Sequence, residues 1–264
     1  MTHHIGLDRI GYVCLLAAAL LFAPRPALAA FHQMQIDQVV GGVGGDTTAQ
    51  AIQLKMRFAG NQFVIGNGQL IVRDAAGNNA TTLSTFSTFD GGAAVAPTSG
   101  NCKEILLVTP AMRAKASPPI TGAFDMIPIP PAFLAAGSLT FEGQGSTWWR
   151  VSWGGASYTG SDAVVTTNFT TVHANPAFGA VLPSASTTAL KFQPQNCPAG
   201  TNNAADYAVT PGAATLVNNA TAAFTVVNLL PVPALPGAAQ WLLPGILGLG
   251  VVAFGFLRRR TSEI

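Results

Sequence analysis

Apolar and polar residues alternate with a period of two through much of the chain, the pattern of antiparallel strands with one face buried and one wet. In residues 52–58, Ile52, Leu54, Met56 and Phe58 fall on one face and Gln53, Lys55 and Arg57 on the other. Met34, Ile36 and Val40 outline an earlier strand, with a glycine-rich turn at 41–45 between the two. Residues 62–65 and 69–72 form a further pair about Gly66-Asn67-Gly68, a hairpin-type connector. Residues 74–79 make another turn cluster, and 103–109 hold the short apolar run of a buried strand. Leu139 and Phe141 alternate with polar neighbours, as do Trp149, Val151 and Trp153; later candidates are 163–167, 190–192 and 222–229. No long stretch of 3.6-residue periodicity occurs outside the two ends, which predicts an all-β sandwich. Strict alternation puts Trp149 and Trp153 on one face and Trp148 on the other. Exposed, Trp148 would be a surface contact for a sugar or a protein; the favoured reading has two of the three rings in the sandwich core and the third half buried.

The two ends differ from the middle. Residues 234–257 carry no charged side chain and are long enough, as a helix, to cross a bilayer core of ~30 Å. They follow a Pro-rich motif, Val232-Pro233-Ala234-Leu235-Pro236, and precede Arg258, Arg259 and Arg260. Arginine gathers on the cytoplasmic side, so the tail is expected inside and everything before it outside. This order resembles the PEP-CTERM family of bacterial sorting signals in its VPxLP variant. The resemblance implies an inner-membrane precursor that an exosortase-like enzyme cleaves near the Pro motif, with delivery to the cell surface or medium. At the other end, Arg9 precedes an apolar stretch at 10–23 and small residues at Ala27, Ala29 and Ala30. These are the parts of a secretory signal helix cut by signal peptidase after Ala29 or Ala30, giving a signal peptide over 1–30. An uncleaved anchor is the alternative, which Pro24 and Pro26 oppose by interrupting the helix.

Between residues 31 and 230 the charges are four Lys and four Arg against seven Asp and two Glu, a net of −1. The full chain's +2 thus belongs to its ends, and nothing supports nucleic-acid binding. Two hundred residues suffice for one core, so one ectodomain over 31–230 is expected. Cys102 and Cys197 remain after signal removal. In an oxidising compartment a disulfide is the default, and two free thiols are the alternative. Such a bridge would close a loop of about 95 residues, worth roughly 4 kcal/mol on a chain-entropy account.

A second resemblance concerns the ectodomain. His32-Gln-Met-Gln-Ile36-Asp-Gln38-Val39, a Gly-rich turn, and Gln50-Ala-Ile52-Gln53-Leu54 resemble the opening of bacterial lamin-tail-like domains. Residues 105–110, 125–134 and 137–141 follow in that group's order, so the likeness spans about 31–153. It implies an immunoglobulin-like antiparallel sandwich. Gln38 and Gln53 stand where that group has glutamates, so whatever those carboxylates do is missing here.

Catalytic chemistry is sparse. No G-x-S-x-G elbow is present, and the ectodomain's histidines are His32 and His173 alone. Neither reads as a metal ligand, no D-x-D-x-D-G loop offers a calcium site, and no cofactor is indicated. Asp74 and Asp90 read as turn formers. Glu104, Glu142 and the aspartates show no spacing that singles out an acid pair. Sequons at Asn79, Asn168 and Asn219 occur in an Asn- and Thr-rich chain. The expectation is a non-enzymatic exported surface or matrix protein, adhesive or exopolysaccharide-associated. The alternative is a secreted hydrolase with an unrecognised acid pair.

Overall fold

The structure, a computed structural model, describes residues 34–56, 68–87, 103–143, 146–160, 177–193 and 206–228. These all fall in one unit that ends at Asn228. Strands dominate: β1 (Met34–Val40), β2 (Ala51–Met56), β3 (Gln69–Arg73), β4 (Thr81–Ser84), β5 (Glu104–Val108), β6 (Ala116–Ser117) and β7 (Phe124–Asp125). They continue with β8 (Gly137–Gly143), β9 (Ser146–Trp153), β10 (Leu190–Phe192), β11 (Tyr207–Val209), β12 (Thr215–Val217) and β13 (Ala223–Val226). One helical turn, α1 (Pro110–Arg113), starts with proline at its first position, where a missing N–H costs nothing.

Three sheets result. The largest has the order β11-β10-β1-β2-β5-β7, the second β4-β3-β8-β9, and the smallest β12-β13-β6. Every pairing is antiparallel except β5 with β7. The all-β expectation holds, and β1, β2, β3, β5, β8, β9, β10 and β13 lie where alternation placed strands. The candidates at 62–65 and 163–167 fall outside the described residues.

Alternation assigns the faces of the six-stranded sheet. Met34, Ile36, Val39, Ile52, Leu54, Ile105 and Leu107 join Leu70, Val72, Leu139, Phe141, Trp149 and Trp153 in one core, beneath the four-stranded sheet. Val40, Ala51, Leu106 and Val108 join Ala116, Leu216, Phe224 and Val226 in a second core, beneath the three-stranded sheet. The six-stranded sheet is therefore central, with a partner sheet on each face.

Three β-bulges interrupt the registers. On β1, Ile36 pairs with Leu54 and Gln38 with Gln53, which leaves Asp37 as the extra residue. On β9, Thr147 pairs with Glu142 and Trp149 with Phe141, leaving Trp148. On β4, Leu83 is extra between Thr82 and Ser84. Beyond a bulge the alternation restarts in the opposite phase, so two consecutive residues share a face.

The bulge on β9 corrects the placement of Trp148. Strict alternation puts it outside; the extra residue turns it inward beside Trp149, and it is 4% exposed. Its ring meets Phe141 edge-on at 5.0 Å. A side chain so enclosed offers no surface contact. After Trp153 the chain turns at Gly154, with φ of +96°, where a Cβ would lie 2.4 Å from that of Ala136. Only glycine fits there.

Candidate functional site

The outer face of the central sheet is apolar at one end, under the small sheet, and polar at the other. On neighbouring strands Lys191 pairs with Gln38, and Gln38 with Gln53. One row further along β1, Gln35 pairs with Lys55, and Lys55 with Glu104. Asp37 sits between the rows, because its bulge sends it to this face with Gln38. Opposite charges thus alternate over four strands, with Lys55 Nζ 3.9 Å from Glu104 Oε1.

Several of these polar groups are deeply buried: Gln35, Asp37, Gln38 and Gln53 are each at most 3% exposed. Gln38 Nε2 donates to Gln53 Oε1 at 3.1 Å and to the carbonyl of Thr215 at 2.7 Å. Gln53 Oε1 also accepts from the Val217 N–H at 2.7 Å, and Gln53 Nε2 donates to Asp37 Oδ2 at 3.2 Å. The glutamine pair offers one donor and one acceptor to the open edge of β12, as a neighbouring strand would. Glutamate could supply only the acceptor while ionised. Gln38 and Gln53 are thus register partners with a joint task.

Burial raises the Asp37 carboxyl above its ordinary range, and Lys55, Lys191 and hydrogen bonds from Gln35 and Gln53 oppose this only in part. Glu104 is raised for the same reason, with Lys55 opposing and the Asp37 charge adding. Elsewhere polar groups serve the framework. Arg73 Nη1 donates to Glu142 Oε1 at 2.7 Å and to Thr140 Oγ1 at 2.8 Å. Desolvation lowers the buried Arg150 to about 10. The Asp74 carboxylate, lowered mainly by the Asn78 N–H, also accepts from the Ala76 N–H and the Asn79 amide. That is the turn-forming role read from sequence. Asp90 lies outside the described residues.

One open groove of about 590 Å³ runs beside β4. Its apolar wall is formed by Leu83, Met126, the exposed Ile127 and Pro128, and its polar side by hydroxyls and Asp125. Arg113 holds the Asp125 carboxylate at 2.6 Å, and the Ile127 N–H donates to the Leu83 carbonyl, closing part of the β4 edge. Among the described residues no second carboxylate and no histidine lines the groove.

Most sites read from sequence lie outside the described residues. These are the signal cleavage residues Ala27, Ala29 and Ala30, the sorting motif at Val232, Pro233, Leu235 and Pro236, and Arg258, Arg259 and Arg260. Cys102, Cys197, His32 and His173 do too. Among the described residues no three His, Cys, Asp or Glu cluster to hold a metal, and no helix is long and apolar enough to cross a membrane. Sequence alternation missed Asp37. Its signal is the doubled polar pair Asp37-Gln38 between Ile36 and Val39, which no regular strand with one buried face accommodates. The chain matches no family model, and neither characterised proteins nor solved structures match it significantly.

Proposed function

We propose that this chain is a non-enzymatic exported surface or matrix protein, an immunoglobulin-like sandwich module delivered through its C-terminal 34 residues. In this scheme signal peptidase removes residues 1–30, and residues 231–264 hold the precursor in the inner membrane facing the periplasm. An exosortase-like enzyme then acts near Val232-Pro233-Ala234-Leu235-Pro236. The observation that carries the proposal is the order of Pro motif, uncharged run and three arginines. Two features of the folded part agree with it. The last described strand, β13, ends at Val226, so only four residues separate it from Pro231. Arg73 and Glu142, and Arg113 and Asp125, meet each other as structural partners, and the groove presents a single engaged carboxylate among the described residues. Its apolar wall and hydroxyl side suit adhesion or association with an extracellular polysaccharide better than acid–base hydrolysis, which needs two free carboxyls.

Intact mass of the protein from its native host, measured in membrane and medium separately, tests the scheme. The expected species in the medium begins near Phe31 and ends within 231–236. If the membrane holds only chains that retain Ile264, the segment is a plain anchor and the sorting mechanism is excluded.

A further inference from the structure

The hydrogen-bond inventory around Asp37 does not close while its carboxyl is ionised. Gln35 Oε1, Asp37 Oδ1 and Gln38 Oε1 are buried without a donor. All three belong to one stretch of β1, and the Gln35 amide lies against the Asp37 carboxyl. Unpaired acceptors at such depth are costly, and a proton on Asp37 turns one of them into a donor. The amide of Gln35 can then present its oxygen to that O–H by a half-turn. Gln53 Nε2 still donates to Asp37 Oδ2, so the Gln53 orientation that holds Val217 is kept.

We propose that Asp37 folds as the neutral carboxylic acid and acts as a proton-operated latch, which through Gln53 and Gln38 fastens β12 to the central sheet. Among the described residues the charged groups facing Asp37 are Lys55 from β2 and Lys191 from β10, with Glu104 from β5 and Lys103 just before it one step further out. Strand β12, Thr215–Val217, brings no ionisable group. The lysines favour the ionised form; the enclosure and the unpaired acceptors favour the neutral one and prevail. The consequence lies in the small sheet. β13 is held by β12 on one side and on the other by β6 through two residue pairs, Thr225–Ser117 and Val226–Ala116. When the latch loosens, β13 depends on those two pairs, whatever becomes of the segment beyond Asn228.

The sign follows from the carboxyl being raised in the folded chain. The latch contributes its full strength below the ordinary aspartate value of 3.8. It weakens as pH rises from there through the folded-state value of Asp37, and is spent above it. Opening of β12 should increase about tenfold per pH unit across that interval and then level off.

Amide hydrogen exchange of the full chain in detergent micelles, corrected for the intrinsic pH dependence, measures this at Val217, with the β8–β9 amides as reference. In the wild type, Val217 protection should fall over that interval while the reference stays flat. In Asp37→Asn, a neutral isostere, it should be independent of pH. Carboxyl ¹³C NMR of the wild type, with Asp37 assigned through its own backbone, decides the matter even if that variant does not fold. A titration of Asp37 at or below the ordinary value, or an unchanged slope in Asp37→Asn, overturns the proposal.

Discussion

Between the central and four-stranded sheets the space is filled by Trp149, Trp153, Phe86, Phe124, Phe141 and Phe192, each almost sealed from solvent. Under the three-stranded sheet the filling is mostly aliphatic, with Val40, Ala51, Leu106, Ala189, Ala214, Leu216 and Val226 beside the single ring of Phe224. Aromatic side chains each bury some 150–250 Å² and favour edge-on contacts, which fix mutual position as well as supplying burial. Phe86 meets Phe124 and Phe141 in this way at 5.5 and 5.9 Å, and Phe192 meets Tyr207 at 5.3 Å. Alanine and valine give burial without direction. On that side the position of the small sheet is set by hydrogen bonds instead, from Gln38 and Gln53 to the backbone of β12. The same central sheet thus holds one partner by shaped bulk and the other by a short polar edge.

The comparison breaks first at Trp149. Its indole fills the inner core, packs on Phe192 and donates to the Tyr207 hydroxyl at 3.0 Å, which donates in turn to the Ile36 carbonyl at 2.7 Å. Trp149→Ala should cost about 3–5 kcal/mol from lost burial and the cavity left behind. Trp149→Phe, which keeps much of the volume, should cost about 1–2 kcal/mol, mostly for the lost donor. Urea unfolding of the full chain in detergent micelles, followed by circular dichroism, measures both. A loss under about 1 kcal/mol for the alanine variant would mean that this core can collapse around the gap.

Why the inner core is legible in sequence and the outer is not follows from the same residues. Strands facing the inner core carry large apolar residues at every second position, as in Leu139 and Phe141 or Trp149, Val151 and Trp153, so their period shows. Strands β6 and β12, which cover the outer core, have two and three residues and no pair of large apolar side chains at alternate positions, so they display no period. The bulges at Asp37 and Trp148 shift phase by one residue, and strict alternation reads one of two adjacent like residues onto the wrong face. The doubled polar pair Asp37-Gln38 and the doubled apolar pair Trp148-Trp149 are the traces left in sequence. Reading them requires knowing where the partner strand lies. The glutamine pair is less legible still, since its task depends on β12, some 160 residues further along the chain.

The small sheet should be separable from the rest. Leu216→Ala removes a buried side chain from the outer core and should cost about 2–3 kcal/mol. The loss is expected to fall on local opening of β12 and β13, seen as faster amide exchange there with little change at β8 and β9. If exchange rises equally in both places, the two cores unfold as one unit and the contrast between them has no energetic counterpart.

Gln53→Glu tests the polar edge itself at nearly constant volume. The ionised side chain accepts from Val217 but cannot donate to Asp37, and it brings a second acid beside a buried carboxyl. A cost of about 1–3 kcal/mol is expected, from an acceptor left without its donor. It should shrink as the pH is lowered far enough to protonate the new carboxyl, because a neutral acid again offers one donor and one acceptor. A cost that grows on acidification would show that the missing donor is not what the variant loses.

The smallest effect belongs to the rim, where neither bulk nor enclosure operates. Arg113 and Asp125 meet at 2.6 Å beside the groove, but their side chains keep 22% and 40% of their exposure. Water and salt screen such a pair, and ordering the long arginine offsets part of the gain. Arg113→Met, which keeps the apolar stem, should therefore cost only about 0.5 kcal/mol. Adding salt should lower the wild type towards the variant. A cost above about 2 kcal/mol, or one indifferent to salt, would place this pair with the buried contacts. Then the edge at β7, and with it the wall of the groove, would have to count as part of the framework.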